Sequence, residues 1–394
     1  MKKITALLLA LCMVLSLCAC GGAKEEPKTE EPAAEAPVEA APAEETPVEE
    51  TPAEPEATAM AVAMITDYGD ITDQSFNQTT YEACKEYCEA NGVEFKYYKP
   101  ASDSDDDRVA MIEMAIDEGF NAIITPGYAF ANALKATAPE YEDVTFIALD
   151  VGEGDFGDFQ LPANLYSAVY QEELCGYMAG YAAVKLGYEK LGYLGGMAVP
   201  AVVRYGFGFV QGADAAAAEL DKTIEMNYAY GNQFFGDADI TAAMDTWYEA
   251  GTQIVFACGG GIYTSAAEAA AKVGGKVIGV DVDQAGTIDG AYGEGMTVTS
   301  AMKGLAPTVK TMLAKVQAGE FEGGKIESLG LVSEKPEENY VQIAGSTQFD
   351  DNFTAEDYAA LVVAMFNGNV TVSNAIDAMP EVTNTTVNDL GNLK

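Results

Sequence analysis

The sequence contains no histidine, a single tryptophan, and only 21 lysines and arginines against 62 aspartates and glutamates. Each scarcity closes a class of function. Without histidine there is no Ser-His-Asp or Cys-His catalysis and no His-based metal site. A formal net charge of −41 argues against nucleic acid or anionic lipid as a partner of the folded body. Beyond residue 20 the cysteines are Cys84, Cys88, Cys175 and Cys258, and none forms a metal-type Cys-x-x-Cys pair. Cys84 and Cys88 are four apart on a predicted helix, so they share a side without pairing easily. All four read as small buried hydrophobes with no disulfide framework.

Long apolar runs are also scarce. The longest, residues 4–17, follows Lys2 and Lys3 and is too short for a comfortable membrane span, but it suits a secretory signal. It runs into Leu17-Cys18-Ala19-Cys20-Gly21, which resembles a bacterial lipobox. Residues 1–19 are then a lipoprotein signal peptide and Cys20 is the lipidated (palmitate-bearing) first residue. Residues 20–59 hold that cysteine and a linker of Glu, Pro, Ala and Thr. This stretch has no apolar periodicity and is expected to stay disordered and extended as a tether.

Residues 60–394 are too many for one ordinary core and suit two lobes. Short apolar runs alternate with amphipathic segments. Strands are expected at 61–65, 94–98, 122–125 and 145–149, and helices at 75–91, 105–118 and up to 138. The rhythm recurs with strands at 190–194, 223–230, 253–257 and 276–280 and helices at 172–186, 202–219, 240–250 and from 261 to 273. Repeated βα units imply parallel sheets with both faces covered, hence two doubly wound α/β lobes. The expected boundaries are 60–168 for the first lobe, 169–284 for the second, and 285–394 for segments crossing back to complete them. Helices are expected at 308–317, 354–366 and 372–378, and a strand at 340–344.

In open parallel sheets, ligands bind outside the carboxyl ends of the strands. Asp67, Tyr128, Asp150, Gly259, Gly260, Gly261 and Asp281 each follow a predicted strand, and Phe76 and Asn77 open the first helix. These side chains would line a cleft between two sheet edges. Other roles remain open. Phe76 suits a core staple, Asp67 and Asp150 suit helix caps, and Tyr128 and Tyr263 suit either a cleft rim or core packing. Arg204 is a ligand contact or a surface charge. Asp281 and Asp283 could be taken for a metal pair, but no metal-spaced cluster stands out around them. Cys258-Gly-Gly-Gly261 precedes a helix but lacks the Lys-Ser/Thr of a phosphate loop. It reads as a turn whose N–H groups face the cleft.

Four ordered stretches resemble a known family. Asp67-Tyr-Gly-Asp-Ile-Thr-Asp-Gln-Ser-Phe-Asn-Gln78 is similar to the D-x-G-x-x-D-x-S-F-N signature of the basic membrane protein (PnrA-like) family of ABC transporter substrate-binding lipoproteins. Gln171-Glu-Glu-Leu-Cys-Gly-Tyr-Met-Ala-Gly180, Pro200-Ala-Val-Val-Arg-Tyr-Gly-Phe-Gly-Phe-Val-Gln-Gly212 and Gly279-Val-Asp-Val-Asp-Gln284 resemble its further motifs. The resemblance implies a hinged fold of periplasmic-binding-protein type I on the extracytoplasmic face of the cell membrane. It implies an ABC permease and its ATPase as partners, no cofactor and no enzymatic activity. It also implies a nucleoside ligand, of purine type, held between two rings. Phe76 matches the first ring and Tyr205 the second, where the family more often has Phe. Asn77 and Asp150 match contacts to the base, and Asp67 and Asp237 match polar contacts to base or ribose.

Stacking of a base on one aromatic ring contributes roughly 1–3 kcal/mol. A micromolar ligand needs about 8 kcal/mol, so carboxylates and amides must supply the rest. An acidic cleft disfavours phosphates, which favours nucleosides over nucleotides. A sugar or autoinducer receptor of the same architecture, a nucleoside hydrolase and a purely structural surface protein are the competing readings.

Overall fold

The computed structural model describes residues 59–394 except Tyr68. Cys20, the signal peptide and nearly all of the expected linker therefore lie outside the described residues.

The chain opens with β1 (Ala61–Ile65), α1 (Phe76–Asn91), β2 (Glu94–Tyr98), α2 (Asp105–Asp117), β3 (Ala122–Pro126), α3 (Ala131–Thr137), β4 (Thr145–Leu149), α4 (Glu153–Phe156) and β5 (Leu165–Tyr170). It continues through α5 (Glu172–Lys185), β6 (Lys190–Gly195), α6 (Pro200–Glu219), β7 (Ile224–Tyr230), α7 (Ala238–Glu249), β8 (Ile254–Cys258), α8 (Tyr263–Val273), β9 (Lys276–Asp281), α9 (Ala285–Tyr292) and β10 (Thr297–Lys303). The remainder forms α10 (Leu305–Ala318), β11 (Lys325–Leu329), β12 (Val341–Ile343), α11 (Ala355–Phe366) and β13 (Thr385–Asn392).

Two sheets result, ordered β11-β5-β4-β3-β1-β2 and β12-β10-β9-β8-β6-β7-β13. All pairings are parallel except β10 with β12. The inner strands explain this choice. Every residue of β3 and β8 is buried, as expected when helices cover both faces of a parallel sheet. At the edge, β2 alternates exposed and half-buried residues over 94–97 and ends on the buried Tyr98.

The chain passes between the sheets three times, after β5, after β10 and after β11. These crossings lie side by side. Gln171 N–H donates to Leu329 O (3.0 Å), Tyr340 N–H to Gly330 O (3.0 Å) and Gly304 N–H to Tyr340 O (2.7 Å). The second sheet continues beyond residue 284, because β10, β12 and β13 all belong to it. Residues 372–378, expected to be helical, form an irregular loop. The large apolar residues there are Val372 and Ile376, yet Ile376 is exposed, so no helical face is buried to offset the loss of chain entropy.

The four cysteines beyond residue 20 are free and buried. Burial pushes the Cys84, Cys175 and Cys258 thiols well above their ordinary range, which keeps them unreactive.

Candidate functional site

A cavity of about 680 Å³ lies between the carboxyl edges of the two sheets. That is within the range of small-molecule sites. From the first sheet come Asp67, Phe76, Asn77, Tyr128 and Asp150, and from the second Tyr205, Gly259, Gly260, Gly261 and Asp281. Asp237 is not among the lining residues.

Local structure fixes the first wall. Asp73 caps α1, its carboxylate accepting from the N–H groups of Ser75 (2.9 Å), Asn77 (3.0 Å) and Gln78 (3.1 Å). This locks the first helical turn, so Phe76 is held half-buried at the cleft with Asn77 buried beside it. Asn77 Nδ2 donates to Asp73 Oδ2 (3.2 Å), while Asn77 Oδ1 is buried without a hydrogen-bond partner. Asp67 Oδ1 accepts from Gly69 N–H (2.6 Å). Its carboxylate also packs close to Gly127, whose φ of +115° favours glycine there. Tyr128 is half-buried, and burial, Asp103 and Asp67 raise its pKa.

The centre of the cleft is a buried ion cluster. Lys303, the last residue of β10, sits with Nζ 2.5 Å from Asp150 Oδ2, 3.6 Å from Glu172 Oε1 and 3.6 Å from Asp281 Oδ1. Its ammonium is 4.7 Å from the Phe76 ring centre, 5.6 Å from that of Tyr170 and 5.8 Å from that of Tyr205. Burial disfavours the ammonium, but Asp150, Asp281 and Glu172 outweigh it and raise its pKa. Arg204 is no free surface charge. Its Nε donates to Glu172 Oε2 (2.7 Å), and Glu173 Oε2 lies 4.0 Å away.

Asp150 and Asp281 occupy equivalent places at the ends of β4 and β9, and both are left-handed, with φ of +59° and +66°. Aspartate tolerates this conformation better than most residues, yet it remains strained. From opposite walls, both aim a carboxylate at the same lysine.

The walls are joined directly. Ser75 Oγ donates to Asp281 Oδ2 (2.6 Å), Gln284 Nε2 to Gln74 O (2.9 Å) and Thr287 Oγ1 to Gln74 Oε1 (3.1 Å). Residues of the first and last motifs thus meet each other across the cleft.

The structure revises the other expectations for the second wall. Tyr205 is fully buried, with its ring edge-on to Phe256 at 5.9 Å and its hydroxyl 3.4 Å from Asp281 Oδ1. It offers little open face for stacking. The exposed ring on this wall is Phe235, at 58% exposure, beside Phe234. The glycine run supports the loop that carries these rings. Gly261 N–H donates to Phe234 O (2.8 Å) and not into the cleft. A side chain at Gly259, whose φ is +145°, would collide with the Phe234 ring.

Asp237 ends the same loop as the cap of α7, with Oδ1 accepting from Asp239 N–H (3.0 Å) and Ile240 N–H (3.0 Å). Oδ2 is paired with Lys394 and accepts from Gln233 Nε2 (2.9 Å). Its place in a polar run before a helix is the mark of a cap.

Sequence reasoning did not single out Lys303, Glu172, Glu173, Phe234 or Phe235. Glu172 and Glu173 belong to the 171–180 motif. A lysine ending the apolar run 297–303 was the one available signal for the cation. Among the described residues no group of carboxylates and cysteines is arranged to hold a metal ion.

Over residues 60–356 the chain matches the family described as ABC transporter substrate-binding protein PnrA-like. It is 28% identical over 291 residues to the ABC transporter nucleoside-binding protein BmpA of Lactococcus lactis subsp. cremoris, covering 70% of this chain and 80% of that one. It is 27% identical over 288 residues to Basic membrane protein B of Borreliella afzelii, covering 71% and 80%. Among solved structures, an ABC transporter solute-binding protein from Conexibacter woesei superposes with a TM-score of 0.63 at 23% identity, covering 80% of this chain and 99% of that one. The fold is accordingly the two-lobed, hinged α/β fold of periplasmic-binding-protein type I. The two lobes, the cleft at their strand ends and the motif residues lining it agree with the match, and the chain belongs to the PnrA-like family of ABC transporter substrate-binding proteins, a lipid-anchored extracytoplasmic transport component that works with a permease and its ATPase and is not an enzyme.

Proposed function

We propose that the cleft captures a nucleoside, with a purine as the preferred base, and that the lobes close on it for delivery to the permease. The observation that carries this reading is a pair of unsatisfied acceptors beside an available ring. Asn77 Oδ1 and Asp150 Oδ1 are buried and lack hydrogen-bond partners, and Phe76 lines the same cleft, with the Lys303 ammonium between its ring and Asp150. Buried acceptors without donors are costly, so a ligand rich in N–H and O–H groups is favoured over one lacking them.

Phe235 supplies the second exposed ring. Lys303 Nζ lies 4.7 Å from the Phe76 ring centre, so a base stacking on that ring packs beside the ammonium, which can donate to a ribose oxygen while it stays paired with Asp150. Against this lysine and Arg204, eight of the lining residues are carboxylates, among them Asp67, Asp73, Asp150, Glu173 and Asp281. This excess disfavours phosphorylated ligands. The relative from Lactococcus lactis described as nucleoside-binding supports the same choice.

Calorimetric titration with inosine, guanosine, adenosine, cytidine and ribose tests the reading. Binding of ribose alone, or of nothing, would remove it.

A further inference from the structure

The loop between α11 and β13 has its two ends fixed one turn apart on α6. Gln211 clamps Ser373, its Nε2 donating to Ser373 O (3.0 Å) and its Oε1 accepting from Ser373 N–H (2.9 Å). Asp214 Oδ1 accepts from the N–H groups of Thr383 (3.2 Å) and Asn384 (2.6 Å). The chain therefore departs from α6 and returns almost to the same place, as compact functional surface loops do. Val372, Met379 and Val382 pack it against the core, while residues 373–378 are exposed.

From this exposed stretch, Asn374 and Ile376 line the same cleft as Phe76 and Lys303. Ile376 is 41% exposed. An aliphatic side chain left open at the wall of a ligand cleft gains from being covered by ligand. Pro200 and Ile326 add apolar surface to the lining, and Ser328 adds a neutral polar group. The family match ends at residue 356, so this loop lies beyond the part of the chain that carries the family resemblance.

We propose that Asn374 and Ile376 form a third wall of the cleft and act as specificity-determining contacts to the bound ligand. Ile376 covers an apolar edge of the ligand, and the Asn374 amide exchanges hydrogen bonds with a neutral polar group on it. The proposal rests on the cleft being the nucleoside site.

The test titrates the full chain and its Ile376→Asp, Ile376→Val and Asn374→Ala variants with inosine, adenosine, cytidine, ribose and galactose, and records each melting temperature. The expected result is nucleoside binding at least fivefold weaker for Ile376→Asp and threefold weaker for Asn374→Ala. Ile376→Val stays within twofold, and all three variants melt with the unaltered chain. Affinities within twofold of the unaltered chain for both Ile376→Asp and Asn374→Ala would overturn the loop's role while leaving the nucleoside reading intact. Binding of ribose or galactose alone would overturn the nucleoside reading, and the same variants titrated with that sugar would then decide the loop. Binding of none of the five compounds would overturn both.

Discussion

Lys303 and Asp150 meet across the cleft from different sheets, with Nζ 2.5 Å from Oδ2, where only 4% and 11% of their side chains remain exposed. A lysine on the second lobe is thus held by a strained aspartate on the first. The arrangement couples the charge balance of the cleft to lobe closure, because opening the lobes would separate the pair.

Removing this cation should be severely felt. Lys303→Met leaves Asp150, Glu172 and Asp281 facing one another with Arg204 as the remaining nearby counter-charge. Breaking a buried pair from one side destabilises by about 3–5 kcal/mol. Urea denaturation at pH 7 should show that loss, and a change below about 1 kcal/mol would mean that the cluster relaxes into water.

Glu173 gives the cleft a pH signature. Burial raises its pKa to about 7, with Glu172 adding to the rise and a backbone hydrogen bond and Arg204 opposing it. The folded state then holds a proton that the unfolded state releases near pH 4.5. Stability from this group is therefore lost as pH rises between about 4.5 and 7, by about 3 kcal/mol in all. Glu173→Gln should be more stable than the unaltered chain at pH 8 and no different at pH 4.5. Equal differences at both pH values would contradict the assignment.

The rings separate by two measurements. Phe76→Ala and Phe235→Ala should each weaken nucleoside binding about five- to 150-fold, since stacking contributes roughly 1–3 kcal/mol. Phe235 is exposed, so its loss should leave the melting temperature nearly unchanged. Tyr205→Ala should instead destabilise the fold by about 3–5 kcal/mol as a buried aromatic, and Tyr205→Phe should bind normally. Normal binding by Phe235→Ala with loss of binding by Tyr205→Phe would restore Tyr205 as the ligand's partner.

Asp237→Ala should cost about 1 kcal/mol through the lost helix cap and leave nucleoside affinity within twofold. A tenfold loss of affinity with unchanged stability would return Asp237 to the ligand.

The latch between walls predicts a shape change. Gln284→Ala removes the donor to Gln74 O, and the closed population should fall. Small-angle scattering without ligand should report a larger radius of gyration than for the unaltered chain. An unchanged radius would show that Gln284 only supports its own turn, where its Oε1 accepts from Val280 N–H (2.9 Å).

Much of the framework was legible beforehand because it rests on short-range pattern. Runs such as 122–124 and 254–258 are apolar throughout, and their shortness together with the helical segments between them suits covered parallel strands. Helix α1 is readable from its polar start near Ser75 and the spacing of Ala83, Tyr87 and Ala90. What escaped depends on contacts distant in sequence. β13 has few apolar residues and exists because it pairs with β7. The placement of Lys303 between Asp150, Glu172 and Asp281 arises only when two sheets face each other. Tyr205 sat in the expected motif, but which way its ring turns is decided by Phe256, some fifty residues away. Phe235 had no periodic signal, since a ring on a loop obeys none.

Isothermal titration of the full chain with inosine, set against inosine monophosphate and ribose, tests the central claim most directly. A nucleoside-binding cleft built from Phe76, Asn77, Asp150 and Lys303 predicts micromolar or tighter binding of inosine, and at least hundredfold weaker binding of the other two. Binding of ribose equal to that of inosine, or no heat with inosine at any concentration up to a millimolar, would contradict it.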